Sequence, residues 1–232
     1  MLLGCRYSFI VIVLLEMKQI MMVKRIAVIG STGVTGQEVI RLALQKGYLV
    51  TAVVRKPGSV TPSEKLTVVK GDVTDYKSLV RAFADVDAVI SCFGPANGLK
   101  AGKLMSTGAK NIVLASEEAE VKRLVFMSGI LQTDGKELSF LNRFGIRFLR
   151  LFYHKVYKDK VIAETSIQES YLEWVIVRAT GLKDVAGRGT YTAGPRVPVL
   201  PFKPLSYSDC AACLLRAAEE AAWTKRIINV GR

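Results

Sequence analysis

The chain has 232 residues, half of them hydrophobic, and its 33 Lys and Arg residues outnumber its 20 Asp and Glu residues, giving a formal net charge of +13. This length suits one domain with a sizeable core, and the positive net charge suits an anionic ligand. The basic residues are scattered and no nucleic-acid motif is present, which argues against specific nucleic-acid binding. The four cysteines form no disulfide framework and there is one histidine, so we expect a cytoplasmic protein without a metal site.

Residues 1–22 do not share the pattern of the rest of the chain. The apolar run over 7–15 is too short to span a bilayer, and no small-residue cleavage site follows it. A later start codon is favoured over a genuine extension, at Met17, Met21 or Met22. We therefore expect one folded domain over 23–232.

The segment 24–56 has the pattern of a βαβ unit. A β-branched run over 25–29 predicts a buried parallel strand. Apolar positions at helical spacing then predict a helix that ends at Gly47, and residues 48–54 predict a second buried strand.

Three glycines, Gly30, Gly33 and Gly36, lie between the first strand and the helix with the spacing G-x-x-G-x-x-G. Such glycines permit a sharp turn, the approach of a pyrophosphate to the backbone, and close packing of the helix on the strand. The segment therefore predicts a dinucleotide site; a tight turn without a ligand is the alternative.

The end of the second strand indicates which dinucleotide binds. An NAD site places an acid there for the ribose hydroxyls, whereas this chain has Arg55 and Lys56. Two cations favour NADP(H) over NAD(H), unless they are only a solvated strand end. Ser31 and Thr32 could donate further hydrogen bonds to phosphate.

The rest of the chain continues to alternate strands with helices. Further strands are predicted over 66–70, 87–91, 123–127, 172–177 and 227–230. Helices are predicted from the cap Asp75 to 84, from the loop at Gly102 to about 118, and over 157–170 and 206–220. This order predicts an α/β fold with a doubly wound parallel sheet, Rossmann-like, as a single domain; the loop 183–204 would form a small substrate-side lobe.

In such a sheet the ligand lies beyond the carboxyl ends of the strands. Five residues follow predicted strands at that edge: Gly30, Arg55, Asp72, Phe93 and Ser128. We expect them to line one site.

The segment 136–160 interleaves aromatic and basic residues. The first interpretation is an amphipathic segment with its aromatic side chains in the core and its cations in water. The second is a lid for a flat, anionic substrate, and the third is a helix at a membrane interface.

Eight motifs together resemble the atypical short-chain dehydrogenase/reductases, closest to the branch that contains biliverdin reductase B (flavin reductase) and the NmrA-like proteins. They are GSTGVTG at 30–36, VVRK at 53–56, GDVTD at 71–75, DAVISCFG at 87–94, LVFMSG at 124–129, KVIAE at 160–164, VIVRATGL at 175–182 and SYSDCA at 206–211. The resemblance implies NAD(P)H-dependent reduction of flavins, quinones or related conjugated acceptors.

The resemblance also implies roles for particular residues. The pyrophosphate would be held by Gly30, Thr32, Gly33, Val34, Thr35 and Gly36. Arg55 would hold the 2′-phosphate, Asp72 and Val73 would lie at the adenine, and Phe93 and Gly94 would line the ribose. Ser128 would face the nicotinamide. Independently of the resemblance, the segment 178–182, which carries Thr180 and follows the predicted strand 172–177, is expected to close over the cofactor end of the sheet.

The chain departs from the wider superfamily in one respect. Catalytic members use Tyr-x-x-x-Lys, in which the lysine lowers the tyrosine pKa, but no tyrosine here precedes a lysine by four residues. Hydride transfer to a flavin or quinone requires less of the protein, because positioning supplies much of the rate. The candidate catalytic residues are Ser128, His154, Tyr157 and Lys160.

Two other functions stay open: a non-catalytic NADP(H) sensor of the NmrA type, and a sugar-nucleotide epimerase, which the missing Tyr-x-x-x-Lys disfavours. Cys210 and Cys213 are interpreted as small helix-packing residues rather than a redox or zinc pair. The expected partner is a small-molecule acceptor, with peripheral membrane contact a minor alternative, and the chain is expected to be a monomer or homodimer.

Overall fold

The computed structural model describes residues 24–95 and 102–232. The predictions for residues 1–22, including Cys5, and for the loop over 96–101 lie outside these ranges.

A large, mostly parallel sheet organises the fold. The strands are Arg25–Ile29 (β1), Leu49–Val54 (β2), Leu66–Lys70 (β3), Ala88–Ser91 (β4), Arg123–Gly129 (β5), Glu173–Ala179 (β6), Leu182–Lys183 (β7), Thr192–Pro195 (β8), Leu205–Ser206 (β9) and Arg226–Gly231 (β10). Eight of them form one sheet in the order β3-β2-β1-β4-β5-β6-β10-β8, while β7 and β9 pair separately. The chain winds outward from β1 in both directions, which confirms the predicted doubly wound α/β fold.

Helices cover both faces of this sheet. They are Val34–Gln45 (α1), Tyr76–Ala82 (α2), Leu104–Glu118 (α3), Phe140–Phe152 (α4), His154–Gln168 (α5) and Tyr207–Glu219 (α6). Strand residues alternate between the two cores: Ile26 and Val28 pack with α1 and α6, while Ala27 and Ile29 pack with α2, α3 and α5. Both faces of the parallel strands are therefore buried, as their continuous β-branched runs predict.

Strand β8 was not predicted. It lies within the predicted loop 183–204 and pairs antiparallel with β10, with Gly194 opposite Asn229. The turn after it brings Val197 back against Gly194, whose missing side chain leaves room for the valine. Four residues that include a glycine and a proline carry too little periodicity for a strand prediction.

The first interpretation of 136–160 is wrong. Its aromatic residues Phe140, Phe144, Phe148 and Phe152 are all exposed on α4, and Ile146 is that helix's only buried residue. The side of α4 that faces the protein instead carries polar contacts, which leaves the aromatic side to solvent.

The two cysteines of α6 are packing residues, as predicted. Cys210 and Cys213 are free and fully buried on the side of α6 that faces the sheet. Burial raises the pKa of Cys213 to about 12 and that of Cys210 well above its usual value, so both remain neutral thiols. Within the described ranges, the helices are all too short or too polar to cross a bilayer.

Candidate functional site

The glycine turn after β1 has the geometry that its spacing predicts. Gly30 has a positive φ of 75°, and a Cβ there would lie 2.8 Å from the backbone of Cys92 and Phe93 at the end of β4. A Cβ on Gly36 would overlap the carbonyl oxygen of Gly30. These two glycines therefore allow the sharp turn and the close packing of α1 on β1; the approach of a ligand to Gly33 stays a prediction.

The N-terminus of α1 leaves backbone N–H groups without a side-chain acceptor. Gly33 is the N-cap and provides none, whereas Asp75, Ser139 and Ser206 cap α2, α4 and α6. Helix α3 is capped from outside, because the Asp159 carboxylate accepts from the N–H groups of its first turn. The first turn of α1 is therefore suited to an anion.

A cleft of about 320 Å³ lies in front of this turn, at the carboxyl ends of β1, β2 and β4. Eight of the predicted cofactor residues line it: Gly30, Thr32, Gly33, Arg55, Asp72, Val73, Phe93 and Gly94. Two residues of α3 were not predicted here: Leu104 lines the cleft, and Gly108 lies behind the cleft-lining Phe93. A Cβ on Gly108 would lie 2.7 Å from the Phe93 ring, so this glycine lets α3 pack against the cleft wall.

Among the described residues that line the cleft, Arg55 is the one cation. It is exposed and lines the cleft, whereas Lys56 is exposed outside it. The adjacent Asp72 is already engaged, because it accepts hydrogen bonds from the Thr74 N–H at 2.8 Å and from the Thr74 hydroxyl at 2.7 Å. The Thr74 backbone bond chiefly, with the Thr74 hydroxyl and Arg55 contributing, holds the pKa of Asp72 below its usual value. The cleft wall here thus carries a guanidinium beside an ionised carboxylate, of which Oδ1 is held by Thr74.

The Ser31 hydroxyl does not face a phosphate, contrary to the prediction. It is fully buried and donates to the carbonyl oxygen of Val53 at 2.7 Å, which fixes the turn to β2. Thr32 is exposed and lines the cleft. Val34 is exposed and Thr35 is buried in the first turn of α1, and neither lines the cleft, so we expect any phosphate contact from them to come from their N–H groups.

A second group of polar side chains lies at the ends of β5 and β6. The hydroxyls of Ser128 and Thr180 and the side-chain oxygen of Gln132 are buried without a hydrogen-bond partner in the described part of the chain. Buried polar atoms rarely stay unpaired in native proteins, and a functional role is one explanation for those that do. Two of the three, Ser128 and Thr180, belong to the predicted cofactor set.

Lys160 reaches the same strand end from α5. A Cβ placed on Gly129 would lie 3.7 Å from Lys160 Nζ and 3.6 Å from Gln132 Oε1, so both side chains reach this end of β5. Burial lowers the pKa of Lys160, and the nearby Glu164 carboxylate partly opposes this shift. The residue four positions before Lys160 is Val156, so a tyrosine hydroxyl is missing where Tyr-x-x-x-Lys would place one.

The other two catalytic candidates have different surroundings. The Arg150 guanidinium lies over the ring of Tyr157, with its Cζ atom 4.8 Å from the ring centroid. His154 is exposed at the start of α5, about 9 Å along the helix axis from Lys160 at 1.5 Å per residue. The structure thus brings Ser128 and Lys160 to one strand end and gives Tyr157 and His154 no evident part there.

Comparison with known proteins assigns the chain to a family. A family model described as NAD(P)H-binding matches residues 30–221. An uncharacterized chloroplastic protein of Arabidopsis thaliana is 29% identical over 191 residues, which cover 74% of this chain and 64% of that protein. The chain therefore spans less than two thirds of the length of this curated relative.

Solved structures share the fold. A short-chain dehydrogenase/reductase from Veillonella parvula, in complex with NADP, superposes with a TM-score of 0.72 at 19% identity, covering 91% of this chain and 95% of the other. ChuY, an anaerobillin reductase from Escherichia coli O157:H7, superposes with a TM-score of 0.73 at 20% identity, covering 89% of this chain and 96% of the other. At these identities the likeness concerns the fold.

Proposed function

The chain belongs to the NAD(P)H-binding family, and on that premise we propose that it is an NADPH-dependent reductase that transfers a hydride to a flavin, a quinone or a similar conjugated acceptor. The observation that carries this proposal is at the end of β5, where Lys160 Nζ reaches the strand at Gly129, next to Ser128, while Val156 stands in the place of a tyrosine. Such a site retains a cation and a hydroxyl for orientation but lacks the phenol that alcohol dehydrogenation uses.

The choice of NADPH rests on Arg55. It lines the cleft beside the end of β2, together with Asp72, whose Oδ1 accepts hydrogen bonds from Thr74. A 2′-phosphate would meet a guanidinium with matching geometry there, whereas the ribose hydroxyls of NAD(H) would gain nothing from that charge.

Each part of the site has a distinct task in this mechanism. The first-turn N–H groups of α1 would hold the pyrophosphate, and the Ser128 hydroxyl would orient the nicotinamide. The cofactor, when bound, would supply the hydride. Lys160, as an ammonium, donates a hydrogen bond to the acceptor and the proton that accompanies the hydride, after which solvent reprotonates its amine.

A reductase also accords with one of the fold relatives, the anaerobillin reductase, although that likeness concerns the fold. The second candidate function is a non-catalytic NADP(H) sensor. Val156 at the tyrosine position suits this function as well, because a protein that only binds the cofactor needs no proton donor, so the turnover assay decides between the two.

An assay of NADPH oxidation, monitored through the loss of the near-ultraviolet absorbance of NADPH, tests the proposal. The acceptors are FMN, FAD and a small panel of quinones, with NADH run beside NADPH. We expect turnover above the protein-free background with at least one acceptor and a preference for NADPH. Tight NADPH binding without turnover on any acceptor would overturn the reductase and support the sensor.

A further inference from the structure

We propose that α4 attaches this protein to the surface of an anionic lipid bilayer, lying in the plane of the interface. The proposal begins with six large apolar side chains that α4 exposes. Their exposed fractions run from 53% to 79%, at Phe140, Leu141, Phe144, Phe148, Leu151 and Phe152. At 3.6 residues per turn, these six positions fall within an arc of about 120°. We call this surface the α4 stripe.

The opposite side of α4 fixes the helix to the protein. Arg143 Nε donates to the carbonyl oxygen of Gly135 at 3.1 Å, and Arg150 Nε donates to that of Leu131 at 2.8 Å. Ile146, which lies between the two arginines along α4, packs in a small core with Ile130. The α4 stripe is therefore directed to solvent by specific contacts on the inner side. A continuous apolar surface of this kind marks an interaction site.

The charges around the α4 stripe favour a lipid surface over a protein. From 138 to 158 the chain has no Asp or Glu and five Lys or Arg residues. Arg147 borders the stripe, and Lys155 and Lys158 follow it on α5; all three are exposed. Protein interfaces commonly pair charges of both signs, whereas an anionic bilayer attracts cations alone and accepts the apolar stripe below its headgroups.

The position of α4 fits this orientation. Residues 130–132, which follow β5 directly, contact α4 through the Arg150 bond to Leu131. Because β5 ends at the acceptor side of the site, a bilayer beneath α4 would lie near that side. The attachment itself does not depend on the proposed reaction.

Co-sedimentation of the full chain with vesicles tests the proposal. One set of vesicles is phosphatidylcholine alone, and the other is an equimolar mixture of phosphatidylcholine and phosphatidylglycerol. We expect binding to the anionic vesicles that weakens as salt is raised. The Phe144→Ser/Leu151→Ser double variant should partition at least about tenfold more weakly, because two large apolar groups no longer enter the interface.

A matched variant controls for the loss of exposed apolar area. Leu114 on α3 and Tyr171 before β6 are also exposed, at 42% and 93%, but lie outside the α4 stripe. The Leu114→Ser/Tyr171→Ser variant should bind vesicles as the wild type does. Thermal unfolding and NADPH binding confirm that both variants fold.

Tryptophan fluorescence separates insertion from electrostatic adsorption. The native Trp174 and Trp223 are buried and give a constant background. Phe148→Trp should shift its emission to shorter wavelength on anionic vesicles, whereas Tyr171→Trp should not. The proposal is overturned if the wild type does not bind, if the stripe variant binds equally well, or if the stripe variant instead dissociates a dimer in solution.

Discussion

Arg178 on β6 and Glu164 on α5 form a buried ion pair beside the end of β5. Arg178 Nη2 lies 2.6 Å from Glu164 Oε2, and its Nε lies 3.3 Å from Oε1. The side chains are only 13% and 3% exposed. Arg178 is the strand partner of Ser128, and Glu164 is one turn of α5 from Lys160, so the pair joins the helix that carries Lys160 to the strand next to the one that carries Ser128.

Breaking this pair should destabilise the protein strongly. Glu164→Gln leaves the Arg178 guanidinium buried without a counterion, and we expect the free energy of unfolding to fall by about 3 to 5 kcal/mol. Denaturant unfolding followed by circular dichroism measures the change. Glu38→Gln is the matched control, because it breaks the exposed Glu38–Arg41 pair and should cost less than about 1 kcal/mol. Equal costs for the two substitutions would contradict the assignment.

The glycine turn should tolerate no Cβ at Gly36. Gly36→Ala forces α1 away from β1, because the added atom overlaps the Gly30 carbonyl. We expect a loss of about 1 to 3 kcal/mol in unfolding free energy and weaker NADPH binding. Gly181→Ala adds the same atom where nothing lies within 4 Å, and it should change neither quantity.

Arg55 should determine the preference between the two cofactors. Arg55→Glu replaces the cleft guanidinium with a charge that repels the 2′-phosphate, so the Kd for NADPH should rise by about 100-fold, as loss of a charged hydrogen bond implies. The Kd for NADH should change little, because NADH has no such phosphate. Isothermal titration gives both constants. Lys56→Glu makes the same charge change outside the cleft, and an equal effect there would refute the role of Arg55.

The sequence predicted what depends on local pattern. Gly30 and Gly36 lie in one local turn, and the strands correspond to β-branched runs. The fold and the sheet edge at which the cofactor is expected could therefore be predicted. The rest depends on contacts between distant parts of the chain. The Ser31 hydroxyl is engaged by Val53, 22 residues away, and Asp159 caps α3 from 53 and 54 residues along the chain. Hydrogen bonds between residues so far apart in sequence cannot be predicted from the spacing of residues in a motif.

The exposed face of α4 was harder still to predict. A period of 3.6 residues shows that a helix has an apolar side, and the default expectation buries that side. Here Arg143 and Arg150 bond to backbone carbonyls and occupy the inner side, which only tertiary structure reveals. The same sequence pattern therefore fits a core helix and a surface anchor.

Acid should remove the contribution of Asp209 to stability. Burial tends to raise the pKa of this carboxyl, but hydrogen bonds from Ser206, Arg188, Gly189 and Arg232 outweigh burial and lower it. A depressed folded-state pKa contributes stability that is present above the ordinary aspartate pKa of about 4 and is lost as pH falls through the lower folded value. Asp209→Asn should therefore lower the Tm at neutral pH, and the difference from the wild type should shrink below about pH 4. A constant difference across this range would exclude the linkage.

The pH dependence of turnover should report the protonation of Lys160. Because burial lowers its pKa, the ammonium that serves as proton donor should be lost at a lower pH than in an exposed lysine. The wild-type kcat should thus fall at a lower alkaline pH than the titration of an exposed lysine would give, whereas Lys160→Arg, which stays protonated, should lack this alkaline decline. Lys160→Met should lower kcat by about 100-fold at neutral pH, within the usual range for a positioned proton donor. Lys158→Met, an exposed lysine on the same helix, controls for charge loss. An unchanged alkaline limb in Lys160→Arg would assign the proton to solvent and leave Lys160 a positioning residue.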